Sequence, residues 1–199
     1  KDKRIACCSA DNSISIVSID YENKKWIQDI KKEKSHSDYV RCLCEIKQNI
    51  LASCSEDTTV KIWEISKNDL QLLSTLSNHS KGVIKVITLT HNRFASCSID
   101  NSVRIWSNES PYNEITTLSH DGEVSNLIQL KQKELLITSD HSNPSLDFWD
   151  LRTYKKINTI KGEYTDFYSQ GMIELPNGLV AVSSKSSGNP IVIVDPNNY

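Results

Sequence analysis

Histidine, serine and aspartate side chains occur in this chain in a combination that could support nucleophilic catalysis. One such set is His79, Ser96 and Asp100, with Trp106 close behind. A catalytic triad needs a nucleophile, a base and an orienting acid that converge once, in a single cleft. The same residue types recur 43 residues earlier, as His36, Ser53, Asp57 and Trp63. Recurrence at a fixed spacing favours a structural role in each copy, so the sequence predicts no catalytic residue and no enzyme activity.

The six cysteines are the other residues that could do chemistry, as metal ligands. Cys7-Cys8 and Cys42-Leu43-Cys44 are close pairs, but no second pair or histidine follows at a zinc-site spacing. Three of the cysteines instead occupy one repeated position, namely Cys8, Cys54 and Cys97, with Ser139 in a fourth copy. Small side chains at one repeated position indicate strand packing. The sequence therefore predicts no metal and no cofactor, and Cys42 is the cysteine that we expect to be exposed.

Overall charge and hydrophobicity favour neither a nucleic acid nor a membrane as partner. The formal net charge is −2 over 199 residues, and the densest basic stretch, Lys31–Lys34, is interrupted by Glu33. The longest apolar stretches, such as Gly178–Ser183 and Ile191–Val194, are far too short to span a bilayer. No signal peptide is visible, and six cysteines are too few for a disulfide scaffold. We expect an intracellular protein, cytoplasmic or nuclear.

An internal repeat must position all of these residues. The segment Leu51–Trp63 recurs as Phe94–Trp106, and a third copy ends at Trp149, again 43 residues later. Short apolar segments bounded by Ser, Asn, Asp and Gly predict about four strands in each copy, and no segment has a sustained helical period. Because one four-stranded sheet cannot bury both of its faces, neighbouring copies are expected to stack.

Two weaker copies flank the three clear ones. Ile5–Val17 matches the repeat with Val17 at the tryptophan position, and Leu179–Ile193 matches it with Ile193 at that position. The last copy also has no histidine, because Lys161–Tyr164 fills the corresponding region.

A period of about 43 residues, with an early histidine and a late Trp-Asp or a relative of it, resembles the WD-repeat family. The resemblance covers nearly the whole chain and is most specific over residues 36–150. It implies an all-β fold, a β-propeller of four-stranded antiparallel blades, with about three complete and two partial blades here. The expected blades are residues 1–31 (partial), 36–76, 79–118, 120–160 and 164–199 (partial). Family propellers usually have seven or eight blades, so further blades are expected outside these residues.

The resemblance also implies a buried hydrogen-bonded tetrad in each complete blade. A turn aspartate fixes the histidine, the histidine bonds the serine or threonine, and that hydroxyl reaches the tryptophan indole. The three expected tetrads are His36, Ser53, Asp57 and Trp63; His79, Ser96, Asp100 and Trp106; and His120, Thr138, Asp140 and Trp149. The third should deviate most, because its segment from Thr138 to Trp149 is one residue longer than the segment from Ser53 to Trp63.

Family members present propeller loops to partner proteins, which implies a non-catalytic protein-interaction scaffold within a multi-subunit complex. Partner contacts are implied beside the first-strand valine and before the turn aspartate. In this chain those positions are Tyr39, Arg41, Glu56, Gly82, Ile84, Ile99, Glu123 and Ser125. Tyrosine and arginine are favoured at binding hot spots, and Ile84 and Ile99 could add an apolar patch. The expected partners are other proteins or peptides.

Two alternative functions stay open. Trp149-Asp150-Leu151-Arg152 resembles the Trp-Asp-x-Arg signature of substrate receptors in cullin-RING ubiquitin ligases, in which the arginine contacts the adaptor. That reading would make Arg152 a partner-binding residue. Alternatively, the chain could be a regulatory propeller within a larger multidomain enzyme.

Overall fold

The computed structural model describes residues 4–140, 145–161, 171–183 and 191–198. All of its regular structure in these ranges is antiparallel β-sheet, apart from one 3₁₀ turn at Lys131–Lys133. No helix in the described ranges is long and apolar enough to cross a membrane. Residues 162–170 and 184–190 lie outside the described ranges. They include parts of the expected fifth blade and most of Lys161–Tyr164, the segment that stands where the earlier copies have a histidine.

Three of the sheets have four strands, paired in chain order. The second sheet contains β4 (Val40–Lys47), β5 (Ile50–Ser55), β6 (Val60–Ile65) and β7 (Leu70–Leu76). The third sheet contains β8 (Val83–Leu89), β9 (Arg93–Ser98), β10 (Ser102–Ser107) and β11 (Glu114–Ser119). The fourth sheet contains β12 (Val124–Leu130), β13 (Leu135–Asp140), β14 (Ser145–Asp150) and β15 (Lys155–Lys161).

The first and fifth sheets have three strands each in the described residues. The first contains β1 (Arg4–Cys8), β2 (Ile14–Asp20) and β3 (Lys25–Lys32). The fifth contains β16 (Met172–Glu174), β17 (Val180–Ser183) and β18 (Ile191–Val194). Three four-stranded sheets flanked by two three-stranded sheets confirm the predicted all-β fold of blade-type sheets.

The turn that follows the second strand of the repeat has the same backbone conformation in three sheets. One residue in each copy is left-handed, namely Asn12, Thr58 and Asn101, with φ of 68°, 73° and 66°. Asparagine adopts this conformation readily, whereas a β-branched threonine rarely does. The residue before it is an aspartate in all three copies. The turn therefore fixes where that aspartate lies relative to the neighbouring strands.

The chain forms two compact units, Lys1–Thr88 and Leu89–Tyr199. In the first unit, a buried cluster joins the first and second sheets through Ile14, Ile16, Ile30, Val40, Leu51, Trp63 and Leu70. In the second unit, the fourth and fifth sheets pack through Leu130, Leu135, Ile137, Leu146, Phe148, Met172, Val180, Val182 and Val194. Full burial of one such large apolar side chain stabilises the fold by about 1.5–3 kcal/mol. Each unit thus stacks sheets face to face, as the repeat pattern predicts.

The placement of Ile193 at the tryptophan position of the last copy is wrong. Val194 is buried in the cluster with the fourth sheet, whereas Ile193 is 52% exposed. Val194 pairs with Val180 across β17 and β18, and both side chains belong to the buried cluster. Because successive strand residues point to opposite faces, an error of one residue in the alignment exchanges the buried and exposed faces.

Candidate protein-interaction surface

The structure brings together all four members of the first expected tetrad, inside the second sheet. His36 Nδ1 lies 2.8 Å from Asp57 Oδ2, and His36 Nε2 lies 2.7 Å from Ser53 Oγ. The Trp63 indole Nε1–H donates to the same Ser53 oxygen at 2.8 Å. His36 and Ser53 are 2% and 0% exposed, so neither is accessible to a substrate. The network satisfies buried polar groups that would otherwise cost about 1–3 kcal/mol each.

Asp57 extends this network into the segment that precedes β4. Its Oδ1 accepts from the Thr59 hydroxyl at 2.7 Å, and its Oδ2 accepts from the Ser37 backbone N–H at 3.0 Å. Burial alone would raise the pKa of this carboxyl, but the hydrogen bonds from His36, Thr59 and Ser37 outweigh it and hold the pKa well below its usual range. Asp57 is therefore ionised at neutral pH and orders the chain that leads to Tyr39.

The members of the second expected tetrad belong to two different units. In the second unit, the Trp106 indole Nε1–H donates to Ser96 Oγ at 2.9 Å. Asp100 caps its own turn, where it accepts from the Ser102 hydroxyl at 2.6 Å. In the first unit, His79 is buried at 4% exposure.

In the third expected tetrad, the choice of Asp140 is wrong. The carboxylate beside His120 belongs to Asp147, on β14, whose Oδ2 is 3.2 Å from His120 Nδ1. Asp140 pairs with Val124, just as Ser55 pairs with Val40 in the second sheet, so it lies at the Ser55 position of the repeat. Its carboxylate approaches Gly122 so closely that a Cβ there would lie 2.7 Å from Oδ2. The position equivalent to Asp57 falls within residues 141–144, outside the described ranges.

This third network also lacks a bond that the first one has. Trp149 Nε1–H donates to Thr138 Oγ1 at 3.1 Å. His120 is 8% exposed, and its 3.2 Å contact with the Asp147 carboxylate is an ion-pair contact without hydrogen-bond alignment. No other described residue forms a hydrogen bond with either of its ring nitrogens. Asp147 instead binds Lys156 Nζ at 2.8 Å and the Thr159 hydroxyl at 2.6 Å. The third network thus differs from the first, in the copy whose segment from the hydroxyl residue to the tryptophan is one residue longer.

Protonation of Asp147 is expected to lower the free energy of unfolding at acidic pH. Burial alone would raise the pKa of Asp147, but its contacts with His120, Lys156 and Thr159 outweigh it and lower the pKa to about 2. Since the folded-state pKa is below the unfolded value of 3.8, the stabilisation is complete above about pH 4 and is lost as the pH falls through 2. The free energy of unfolding, measured by chemical denaturation, should fall across this pH window by about 2 kcal/mol less in Asp147→Asn than in the natural chain.

Asp121→Asn, which alters an exposed aspartate, is the control for this measurement and should retain the acid dependence of the natural chain. An Asp147→Asn curve parallel to that of the natural chain would show that Asp147 is not the group that titrates.

Three of the positions implied for partner contacts form one exposed cluster, which we call the Tyr39–Arg41–Glu56 cluster. Arg41 Nε donates to Glu56 Oε1 at 2.6 Å, and Arg41 Nη2 pairs with the same oxygen. The Arg41 guanidinium also lies 5.9 Å from the centre of the Tyr39 ring, which is 49% exposed. The Glu56 backbone N–H donates to the Tyr39 carbonyl at 3.0 Å. The aromatic ring, the cation and the anion are therefore held in one arrangement before any partner binds.

Gly82 makes room for this cluster. A Cβ at position 82 would clash with the Glu56 carboxylate, so only glycine lets the side chain of Glu56 lie there. Gly82 belongs to the positions implied for partner contact, but its role in the structure is to leave space for Glu56.

The remaining positions are less exposed than the resemblance implies. Ile84, Ile99, Glu123 and Ser125 are all half-buried. Ser125 Oγ lies 3.2 Å from Ser139 Oγ, within the fourth sheet. By contrast, the Arg152 side chain is 75% exposed, and its Nε lies 3.2 Å from Asp150 Oδ1.

Sequence reasoning missed one buried charge of the second unit. Arg93 is 8% exposed and donates from Nη1 to the Leu151 carbonyl at 2.8 Å and to the Tyr154 hydroxyl at 3.0 Å. Its Nη2 pairs with Glu134 at 3.1 Å. Arg4 stands at the same position of the first copy, and its Nη1 also donates to a backbone carbonyl of the next sheet, that of Ser66 at 3.3 Å. The second copy has Ile50 at this position, so the pattern that revealed the tetrads did not point to Arg93. Arg93 holds the backbone of the Trp149–Arg152 segment.

No three His, Cys, Asp or Glu side chains cluster as metal ligands within the part of the chain that the structure describes. The buried polar groups near Trp63 are instead hydrogen-bonded to one another, so we look for recognition residues among the exposed side chains.

Comparison with known families fits this geometry. Residues 28–64 and 70–107 match the family model described as "WD domain, G-beta repeat". These two segments are WD repeats. Each repeat begins on the last strand of one sheet and ends on the third strand of the next, so repeats and sheets are offset by one strand. WD-repeat proteins generally act as protein-interaction scaffolds and are generally non-catalytic.

A curated relative also carries this motif. An uncharacterized WD repeat-containing protein of Schizosaccharomyces pombe (strain 972 / ATCC 24843) is 32% identical over 71 residues, which cover 33% of this chain. The match spans about a fifth of the relative's own length, 19%. The similarity therefore concerns the repeats and not the whole relative.

Proposed function

We propose that this chain is a non-catalytic, intracellular interaction scaffold that binds another protein through the Tyr39–Arg41–Glu56 cluster. The observation that supports this most directly is the arrangement of exposed Tyr39 and Arg41 around a carboxylate that is fixed beside Gly82. The WD repeats supply the general function of a scaffold, and the cluster lies within the first of them.

Preorganisation is what suits this cluster to binding. Ordering a flexible side chain at an interface costs about 0.5–1.5 kcal/mol, and Arg41 is already ordered by Glu56 and Tyr39. Its contacts with Glu56 use Nε and Nη2, and among the described residues no hydrogen bond uses Nη1. A carboxylate or carbonyl on a partner could accept from Nη1 while an apolar group of that partner covers the Tyr39 ring.

The test measures how strongly two single variants of the cluster bind the partner. Tyr39→Ala and Arg41→Ala should each weaken partner binding by about tenfold or more, which is the effect of losing a hot-spot residue. The partner is first captured from cell extract with the natural chain and identified by mass spectrometry, and the affinity of each variant for it is then measured by calorimetry.

Tyr21→Ala is the matched control, because Tyr21 is 64% exposed and lies outside the cluster. It should bind the partner normally. All three variants should keep the natural melting temperature to within a few degrees, since exposed substitutions change stability by only about 0.5 kcal/mol. Capture of the same partner at full affinity by a Tyr39→Ala, Arg41→Ala double variant would contradict the proposal.

The adaptor-binding hypothesis for the Trp149–Arg152 segment stays separate from this proposal. Exposure of Arg152 is compatible with it, but the pairing of Arg152 with Asp150 is equally compatible with a simple turn.

A further inference from the structure

Two cysteines face each other across the second sheet. Cys42 on β4 pairs directly with Cys54 on β5. Directly opposed residues of antiparallel strands have Cα atoms about 4.5–5.5 Å apart, which lies within the range of about 4.4–6.8 Å that a disulfide requires. Both cysteines are reduced in the structure. A bond between them would therefore require little movement of the backbone.

The surroundings of Cys42 favour its thiolate. A hydrogen bond from Cys54 and the positive charge of Lys85 outweigh the effect of burial and lower the pKa of the Cys42 thiol to about 6. The Cys42 side chain is half-buried, and its Sγ lies 3.6 Å from the Val86 carbonyl oxygen. Cys54 is 0% exposed, so Cys42 is the more accessible member of the pair.

The other cysteines lack this arrangement. Burial raises the pKa of the Cys44 thiol, whose Sγ lies 3.0 Å from Thr88 Oγ1. Cys97 occupies the position of Cys54 in the next copy of the repeat, but the residue equivalent to Cys42 there is Lys85. The chain thus contains two natural comparisons for a reactive cysteine pair.

We propose that Cys42 and Cys54 form a peroxide-responsive dithiol that closes a cross-strand disulfide. The Cys42 thiolate attacks one oxygen of hydrogen peroxide, the O–O bond breaks, and Cys42 becomes a sulfenic acid as hydroxide leaves. The Cys54 sulfur then attacks the Cys42 sulfur and expels the sulfenic oxygen. The expelled hydroxide and the one released earlier leave as two waters, after taking up the Cys54 proton and one from solvent. Two thiols are oxidised, and one peroxide is reduced.

The experiment exposes the purified chain to one equivalent of hydrogen peroxide at pH 7, followed by alkylation and peptide mass spectrometry without reduction. Trypsin cleaves after Arg41, Lys47 and Lys61, which places Cys54 and Cys42 in different peptides. Fragment-ion sequencing distinguishes Cys42 from Cys44 within their shared peptide. We expect a cross-linked pair that joins Cys42 to Cys54, while Cys44 and Cys97 remain available for alkylation after denaturation.

Two variants test the order of the steps. Cys54→Ser should leave Cys42 as a sulfenic acid that dimedone traps, and it should fold because the fourth copy of the repeat has Ser139 at this position. Cys42→Ser should abolish peroxide oxidation of Cys54. The proposal is overturned if Cys42 oxidises no faster than Cys44, if it pairs with a different cysteine, or if it accumulates as a sulfenic acid while Cys54 is present.

Discussion

Replacing Ser53 with alanine is expected to lower the free energy of unfolding by about 2–6 kcal/mol, because one hydroxyl serves two buried partners. With His36 Nδ1–H donating to Asp57, His36 Nε2 accepts from the Ser53 hydroxyl at 2.7 Å. The same oxygen accepts from Trp63 Nε1–H at 2.8 Å. Alanine leaves a buried acceptor and a buried donor unpaired, each at a cost of about 1–3 kcal/mol. Urea denaturation followed by tryptophan fluorescence measures the change.

The fourth sheet contains a matched control for this prediction. Thr138 is also 0% exposed and accepts from Trp149 Nε1–H, but no described residue forms a hydrogen bond with either ring nitrogen of His120. Each hydroxyl also has a long contact with a carbonyl of the next strand, Thr138 with Asp147 at 3.4 Å and Ser53 with Lys61 at 3.5 Å, so the two sites differ in the histidine bond. Thr138→Val keeps the shape of the side chain and leaves one buried partner unpaired, the Trp149 indole, instead of two, so its cost should be about half that of Ser53→Ala. Equal costs for the two variants would show that the His36 bond to Ser53 adds nothing to stability.

The first tetrad was predictable from sequence because it repeats. Recurrence of His, Ser, Asp and Trp at a spacing of 43 residues separates a structural network from a catalytic one without knowledge of any contact. The strand pattern within each copy likewise predicted the three four-stranded sheets. The residues that repeat in the sequence are those that every sheet needs, namely hydrogen-bond partners for its buried polar groups and apolar side chains on both of its faces.

Features that occur once were not predictable in this way. Asp147 is the carboxylate beside His120, and it belongs to the copy whose sequence segment from Thr138 to Trp149 is one residue longer. The same limit applies to Ile193, since an alignment without a tryptophan cannot decide which of two adjacent residues faces the core. The pair of Cys42 and Cys54 depends on strand register, which an alignment of repeats does not give directly.

Arg93→Met is expected to lower the stability of the second unit by about 3–5 kcal/mol, as when one partner of a buried ion pair is removed. The Arg93 guanidinium contacts the Leu151 carbonyl, the Tyr154 hydroxyl and Glu134, and it lies 5.8 Å from the Tyr154 ring centre. Methionine retains much of the apolar stem but supplies none of these donors. Thermal unfolding measures the change for the whole chain.

A second readout locates this effect in the segment that Arg93 holds. Loss of the bond to the Leu151 carbonyl should loosen the turn and accelerate tryptic cleavage after Arg152, whose side chain is 75% exposed. The matched control is Arg104→Met, because Arg104 pairs with Glu114 at 2.6 Å within the third sheet, at 20% exposure of both side chains. Its cost should be about 1 kcal/mol, with cleavage after Arg152 unchanged, since a partly exposed pair contributes little. If Arg93→Met and Arg104→Met lose the same stability and Arg152 is cleaved at the natural rate in both, then Arg93 does not anchor the segment from Trp149 to Arg152.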